Sequence, residues 1–144
     1  MWVCYYTRMR YLGIDYGTKK TGLALSDEAG TMGFPKAVVP TDATLAERLA
    51  ALIAQEGVGA VVIGESKDFS GADNPIAEAA RALGKELAAQ AGVPVFYEPE
   101  TLTTQEARRL PTGERMSGIV DASAAALILT SYLTRQNGRE AVGS

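Results

Sequence analysis

The chain contains no histidine and a single cysteine, Cys4. Without imidazole there is no Ser-His-Asp or Cys-His catalysis, no histidine metal cage and no histidine general base. One thiol excludes an internal disulfide and any metal site built from several cysteines. Fourteen lysines and arginines stand against 17 aspartates and glutamates, a net charge of −3, with a pI near 5.0. That balance argues against a protein that coats nucleic acid through a broadly basic surface, and it leaves room for local basic patches. No apolar run approaches the roughly 18 residues of a membrane span, and the first residues lack the basic, apolar, then small order of a signal peptide. A cytoplasmic chain with no membrane partner is expected. Chemistry therefore falls to carboxylates, lysines, hydroxyls or a bound metal, and carboxylates with water suit hard cations such as Mg2+ or Mn2+.

What is present begins with the stretch RYLGIDYGTKKTGLALSD, Arg10 to Asp27, which reads as two strands joined by a tight glycine turn. Its apolar run (Tyr11, Leu12, Ile14) carries a carboxylate, Asp15. Burying a carboxylate is costly unless a cation or hydrogen bonds compensate it. Gly17 and Gly22 flank Thr18, Lys19 and Lys20, as a hairpin with special backbone angles and two ammonium groups at its tip requires. Such a tip suits a phosphate, and it equally suits an ordinary solvated hairpin.

At 144 residues and 47% hydrophobic content the chain is one domain's worth with enough apolar side chains for a core. Residues 1–8 (MWVCYYTR) precede the first patterned strand without turn or cap signals, and read either as an N-terminal extension or as residues ahead of a start at Met9. Residues 9–135 form the domain, and residues 136–144 a polar tail. After the hairpin, Gly30 to Gly33 forms a turn and Phe34 to Val39 a third strand, which Pro35 directs to a sheet edge. Thr41 or Asp42 caps a helix with Leu45, Leu49, Leu52 and Ile53 at helical spacing, ending near Gly57. Gly59 to Gly64 (GAVVIG) reads as a strand buried on both faces, and Glu65 follows it at once. Ser66 to Asn74 is a polar loop. Pro75 opens the next helix, with Ile76, Ala79, Ala80, Leu83 and Leu87 on one face and a stop near Gly92. Val93 to Tyr97 is a fifth strand, whose pairing Pro99 ends. Thr103 or Thr104 caps a short helix through Arg108 and Arg109, since Thr103 precedes Glu106 by three residues, as a capping box requires. Pro111 to Gly118 is a loop, and a last, alanine-rich helix runs from about Ile119 to Thr134.

Four acids fall where the pattern calls for apolar or strand-end residues: Asp15, Glu65, Glu100 and Asp121. In open α/β sheets, ligand sites lie at the carboxyl ends of parallel strands, which directs Glu65 and Glu100 to one edge. Asp121 shares a helix face with Ala124, Ala125, Ile128 and Tyr132, where small residues permit close packing on the sheet. Each acid alone has a plain explanation, Asp121 above all, since the helix dipole favours an acid in any first turn. Their convergence is what points to a site. Carboxylates gathered together raise one another's pKa unless a divalent ion neutralises them, and a two-metal site for phosphoryl transfer is the economical reading.

At this point the motifs match a family. The run LGIDYGTKKTGLALSD, the strand VVIG with its loop holding Ser70-Gly71 and Asn74-Pro75, the segment PETLTTQEA, and VDASAAALILTSYL together resemble the YqgF/RuvX family, assigned as Holliday junction resolvases. The likeness runs from about Met9 to Leu133. It implies an α/β, ribonuclease-H-like mixed sheet of five strands, three antiparallel and then two parallel, flanked by helices. It also implies a metal-dependent nuclease, with members assigned to pre-16S ribosomal RNA processing and to cleavage of branched DNA. Carried over by motif, Asp15 matches the family's first-strand aspartate, Glu100 the glutamate of its Asp-Glu-Arg-Leu-Thr/Ser-Thr motif, and Asp121 the aspartate of its last helix. Lys19 matches a basic turn residue, and Thr103 and Thr104 the hydroxyls after the glutamate. Pro99 and Thr101 replace the aspartate and arginine that flank that glutamate in the family, and Gly64-Glu65-Ser66 replaces its Gly-Leu-Pro. Glu65 lies where RuvC-type resolvases place an acid and so is a candidate metal ligand.

The expected mechanism sets Asp15, Glu100, Asp121 and Glu65 around one or two Mg2+ or Mn2+ ions that activate water and steady the leaving oxygen. Lys19, Lys20, Arg108 and Arg109 would contact backbone phosphates of structured RNA or branched DNA. The protein would act as a monomer or, on a symmetric junction, as a homodimer. Two rival readings are a non-catalytic nucleic-acid-binding or ribosome-assembly module, and a nucleotide-binding domain, because Gly13 to Thr18 also resembles the first phosphate motif of actin-like ATPases.

Overall fold

The structure, a computed structural model, describes residues 9–65, 75–99 and 117–143, and within these the side chains of all but residues 65, 75, 76, 99, 117–121 and 137–143. Five strands and three helices follow in the order β1 (Arg10–Asp15), β2 (Lys20–Ser26), β3 (Gly33–Pro40), α1 (Leu45–Glu56), β4 (Val58–Glu65), α2 (Pro75–Ala91), β5 (Val95–Pro99) and α3 (Ser117–Gly143). They form one sheet in the order β3-β2-β1-β4-β5. β2 pairs antiparallel with both β1 and β3, while β4 pairs parallel with β1 and β5. The expected mixed sheet is therefore present, with β1 and β4 at its centre. The loop expected at 66–74 and the short helix expected at 103–109 lie outside the described residues.

Alternation along β1 sorts its side chains between two cores. Leu12 and Ile14, with Leu23, Val61 and Ile63, pack against Leu45, Leu49 and Ile53 of α1 and Leu83 and Leu87 of α2. Tyr11 faces the other way, with Ala24, Ala60 and Val62, onto Ala125, Ile128, Leu129, Tyr132 and Leu133 of α3. Among the described residues one face thus carries two helices and the other one long helix. Among the described residues no helix is long and apolar enough to cross a membrane.

Several boundaries differ from the sequence expectation, each for a local reason. α1 begins at Leu45 with Thr44 as its cap residue, not Thr41 or Asp42. Asp42 instead accepts hydrogen bonds through Oδ1 from the Thr44 N–H (2.9 Å) and hydroxyl (2.6 Å), a side-chain turn that delays the helix. Gly57 ends it in the left-handed region at φ 66°, as expected. The expected special backbone angles of the β1–β2 hairpin are absent: among described residues the positive-φ glycines are Gly30, Gly57 and Gly92. Gly17 serves by size, since a Cβ there would run into the Lys20 carbonyl oxygen. β5 starts and ends two residues later than expected, so Glu98 and Pro99 lie within the strand, where Pro99 pairs with Glu65. An edge strand tolerates the missing N–H. α3 runs from Ser117 to Gly143, through the stretch read as a tail. No proline interrupts it, and Gly138 costs only about 1 kcal/mol in a helix.

α3 sits close to the sheet because the strands beneath it lack side chains. A Cβ on Gly13 would lie 2.9 Å from Leu129 Cβ and 3.0 Å from the Ala125 carbonyl oxygen, and one on Gly64 would strike Ile128. Gly13→Ala is therefore expected to destabilise the fold by about 1–3 kcal/mol through overpacking, read from urea denaturation. A second expectation concerns pH. The Thr44 hydroxyl and then the Thr44 N–H hold the Asp42 carboxyl below its ordinary value of 3.8. Its contribution is complete above that value and is lost as pH falls through the depressed one. Asp42→Asn should therefore lower the melting temperature slightly at neutral pH and flatten the acid limb, so that the two curves converge at low pH.

Candidate active site

Asp15 is the last residue of β1 and is buried, 7% exposed. By alternation it shares a face with Tyr11 and Gly13, the face that α3 covers. The helix lies obliquely across β1. Its Tyr132 ring stands 6.1 Å from that of Tyr11 at the strand's start, and Ala125 and Leu129 overlie Gly13. From Tyr132 through Leu129 and Ala125 the helix thus runs toward its N-terminus in the direction of the Asp15 end of the strand. Because α3 begins at Ser117, Asp121 stands in its second turn, not its first. The helix dipole, which falls off within the first turn, explains this acid less well than the sequence suggested.

Glu65 closes β4, where its backbone pairs with Pro99. The side chains of Glu65 and Asp121 are not among those described, and Glu100, Thr103, Thr104, Arg108 and Arg109 lie outside the described residues. Among the described residues no group of three or more acid, histidine or cysteine side chains is placed to hold a metal ion. The parallel pairing of β1 and β4 sets the Asp15 and Glu65 strand ends at one edge of the sheet, and of these two Asp15 is the one whose side chain is described.

The turn from β1 to β2 presents Lys19 to solvent, while Lys20, half-buried, begins β2. This turn is braced from the β3–α1 connection. Thr41 donates through its hydroxyl to the Gly17 carbonyl (2.7 Å) and through its N–H to the Lys19 carbonyl (2.9 Å), and its hydroxyl lies 2.7 Å from that of Thr21. A basic turn fixed at three points loses less freedom on meeting a phosphate than a loose one does.

Glu98 was not expected to matter. It is 2% exposed, accepts a hydrogen bond from the Ser131 hydroxyl at 3.0 Å and forms an ion pair with Arg135, both on α3. Gly64 pairs with Glu98, and continuing the Ile14–Ile63 register by one residue sets Asp15 level with Gly64. Asp15 and Glu98 thus stand at one level on one face, two strands or about 10 Å apart, with Ile128 filling the space above Gly64. Two boundary expectations hide this residue: the sequence pattern ends the strand at Tyr97 and the last helix near Thr134, one residue before Arg135. The available signal was the stripe Ile128, Ser131, Tyr132 and Arg135, which continues the apolar face of the helix and puts a cation opposite an acid.

Comparison with known proteins agrees with this architecture. The sequence model of the RuvX family, described as Holliday junction resolvase, matches residues 9–135. A protein of Pelotomaculum thermopropionicum is 39% identical over 146 residues, covering 94% of each chain. One from Anaeromyxobacter sp. (strain Fw109-5) is 40% identical over 141 residues, covering 92% of this chain and all of that one. Both carry pre-16S rRNA nuclease as a provisional name. Among solved structures, Thermus thermophilus RuvC in complex with a Holliday junction substrate superposes with a TM-score of 0.56 at 21% identity, covering 90% of this chain and 96% of that one. The fowlpox virus resolvase in complex with Holliday junction DNA gives a TM-score of 0.54 at 14% identity, covering 89% and 99%. At these identities the two structures speak for the fold.

Proposed function

The chain belongs to the RuvX family of Holliday junction resolvases, and from that membership we propose that it is a metal-dependent nuclease hydrolysing phosphodiester bonds in structured nucleic acid. The observation that supports the reading is a buried carboxylate, Asp15, at the carboxyl end of a central strand, on the sheet face that α3 covers. In this reading Asp15, Glu100 and Asp121, with Glu65, hold one or two hard divalent cations, Mg2+ or Mn2+. The donor set suits such an ion, for the chain offers carboxylates and no imidazole at all. When bound, the cation supplies Lewis acidity toward the phosphodiester and a lowered pKa for the attacking water.

The protein's own groups do the rest. Lys19 and Lys20 at the braced turn, with Arg108 and Arg109, neutralise backbone phosphates and hold the strand in register, and the hydroxyls of Thr103 and Thr104 donate to phosphate oxygens. Such contacts carry no base sequence, so selection rests on the shape of the nucleic acid. The relatives at 39–40% identity are named for pre-16S rRNA, and that closeness favours precursor RNA over a four-way DNA junction as the substrate. Cleavage of a linear precursor needs one active site and hence a monomer, whereas symmetric junction cleavage needs a homodimer. The working compartment in this reading is the cytoplasm.

Asp15→Asn is expected to lower Mg2+- or Mn2+-dependent cleavage roughly 100-fold or more, about 2.7 kcal/mol of transition-state stabilisation, with an unchanged circular dichroism spectrum. Full activity in that variant, on a panel of precursor RNA, single strands and four-way junctions, would refute the mechanism. Lys19→Ala should weaken binding of every substrate alike and reduce the slope of log affinity against log salt by about 1. A loss confined to one base sequence would contradict a phosphate role for this lysine.

A further inference from the structure

We propose that Glu98, Arg135 and Ser131 form a clamp that sets the carboxyl end of β5 against α3, and thereby positions the acids of the active site relative to one another. The inference rests on the metal-site reading above. β5 is an edge strand with β4 on one side only, and its pairing ends at Pro99. Backbone pairing therefore holds this end of the strand less firmly than it holds β1 or β4. Yet this is the end from which the chain leads directly to Glu100. A side-chain tie at Glu98 supplies what the ladder lacks, and it reaches the same helix that carries Asp121.

The geometry suits a positioning role. Glu98 is nearly sealed from solvent, and its two carboxylate oxygens are used separately. Oε2 accepts from Ser131 at 3.0 Å and Oε1 pairs with Arg135. Two contacts one helical turn apart on α3 fix the strand in rotation as well as in distance. Phe96, two residues back on the same face, stacks on Tyr132 with ring centroids 5.5 Å apart, so the strand is gripped twice in succession. Arg135 is 52% exposed, so its guanidinium stays hydrated while one edge is committed to Glu98. With its charge answered by arginine, Glu98 is a positioning residue and not a metal ligand.

The test uses the full chain and separates positioning from stability. In Glu98→Leu combined with Arg135→Leu both charges are removed together, a change that leaves a fold intact far more often than breaking one partner of a buried pair. Mn2+ binding by isothermal titration, and melting temperature without metal, are measured for wild type and for the double variant. The expected result is a metal-free melting temperature within a few degrees of wild type and a dissociation constant for Mn2+ raised about 10- to 100-fold, the range that partners behind metal ligands produce. Unchanged Mn2+ affinity in the folded double variant would overturn the clamp while leaving the metal site standing. Affinity that falls only in step with melting temperature would overturn it too, marking the pair as a stabilising contact. Failure of the wild type to bind Mn2+ would instead overturn the metal reading, and the clamp with it.

Discussion

The approach of one helix to a sheet face that carries glycine at its points of closest contact governs the rest of this molecule. Helix and sheet normally keep a distance set by the side chains between them, and here the strands give way. Gly13 and Gly64 leave gaps that Leu129, Ala125 and Ile128 enter. A third glycine, Gly33, meets the Ala126 carbonyl and Leu129 in the same manner, and its N–H bonds to the Thr130 hydroxyl at 2.9 Å. Close contact at several places across β3, β1 and β4 allows α3 little freedom to slide or roll. A helix so constrained can carry a functional residue at its N-terminal end and hold it near a strand end without needing a loop to do so.

Much of this was legible in the sequence, and what was not had local causes. Strand and helix types followed from periodicity: the unbroken apolar run of β4 and the helical spacing of Leu45, Leu49 and Ile53 each identify an element through the faces it must bury. Boundaries were less legible because they depend on competition for single hydrogen bonds. Asp42 bonds to Thr44 in place of capping a longer helix. Pro99 was read as a stop, but an edge strand needs no donor on its open side. Glu98 was invisible for a related reason. A lone acid beside a proline is ordinarily solvated, and only the tertiary meeting of β5 with a helix longer than expected turns it into a buried group with two partners. The placement of Asp15 was legible because a carboxylate in an apolar strand already conflicts with its surroundings. Such conflicts tend to mark sites where function overrides local consistency.

Lys19 and Asp15 illustrate how the fold separates two kinds of charge. The strand ends Asp15 and Glu65 lie at the sheet's carboxyl edge. Lys19 stands on a turn braced by Thr41, two residues past the loop's first glycine. The bracing matters because the turn is short and one of its walls is a different segment of chain. The β3–α1 connection therefore braces the basic tip through the Gly17 and Lys19 carbonyl oxygens and leaves the Lys19 side chain exposed to solvent.

A chain of net charge −3 that acts on a polyanion must solve an electrostatic problem, and on the proposed reading its solution lies in coupling. Acids gathered at one edge repel phosphate when no cation is present, and they repel one another. A bound divalent ion relieves both repulsions at once, so the free energy that draws it in also turns the edge from hostile to receptive. Linkage makes the effect reciprocal, with nucleic acid strengthening the hold on the ion by the same factor. Few fixed cations are then needed, which accords with a sequence whose basic residues number fewer than its acids. Coupling of this kind works only if the carboxylates are held close together while still uncharged by metal, against their mutual repulsion. The glycine-lined seat of α3 supplies that restraint between β1 and the helix, and the Glu98 clamp extends it to the edge strand, where backbone pairing alone is weakest.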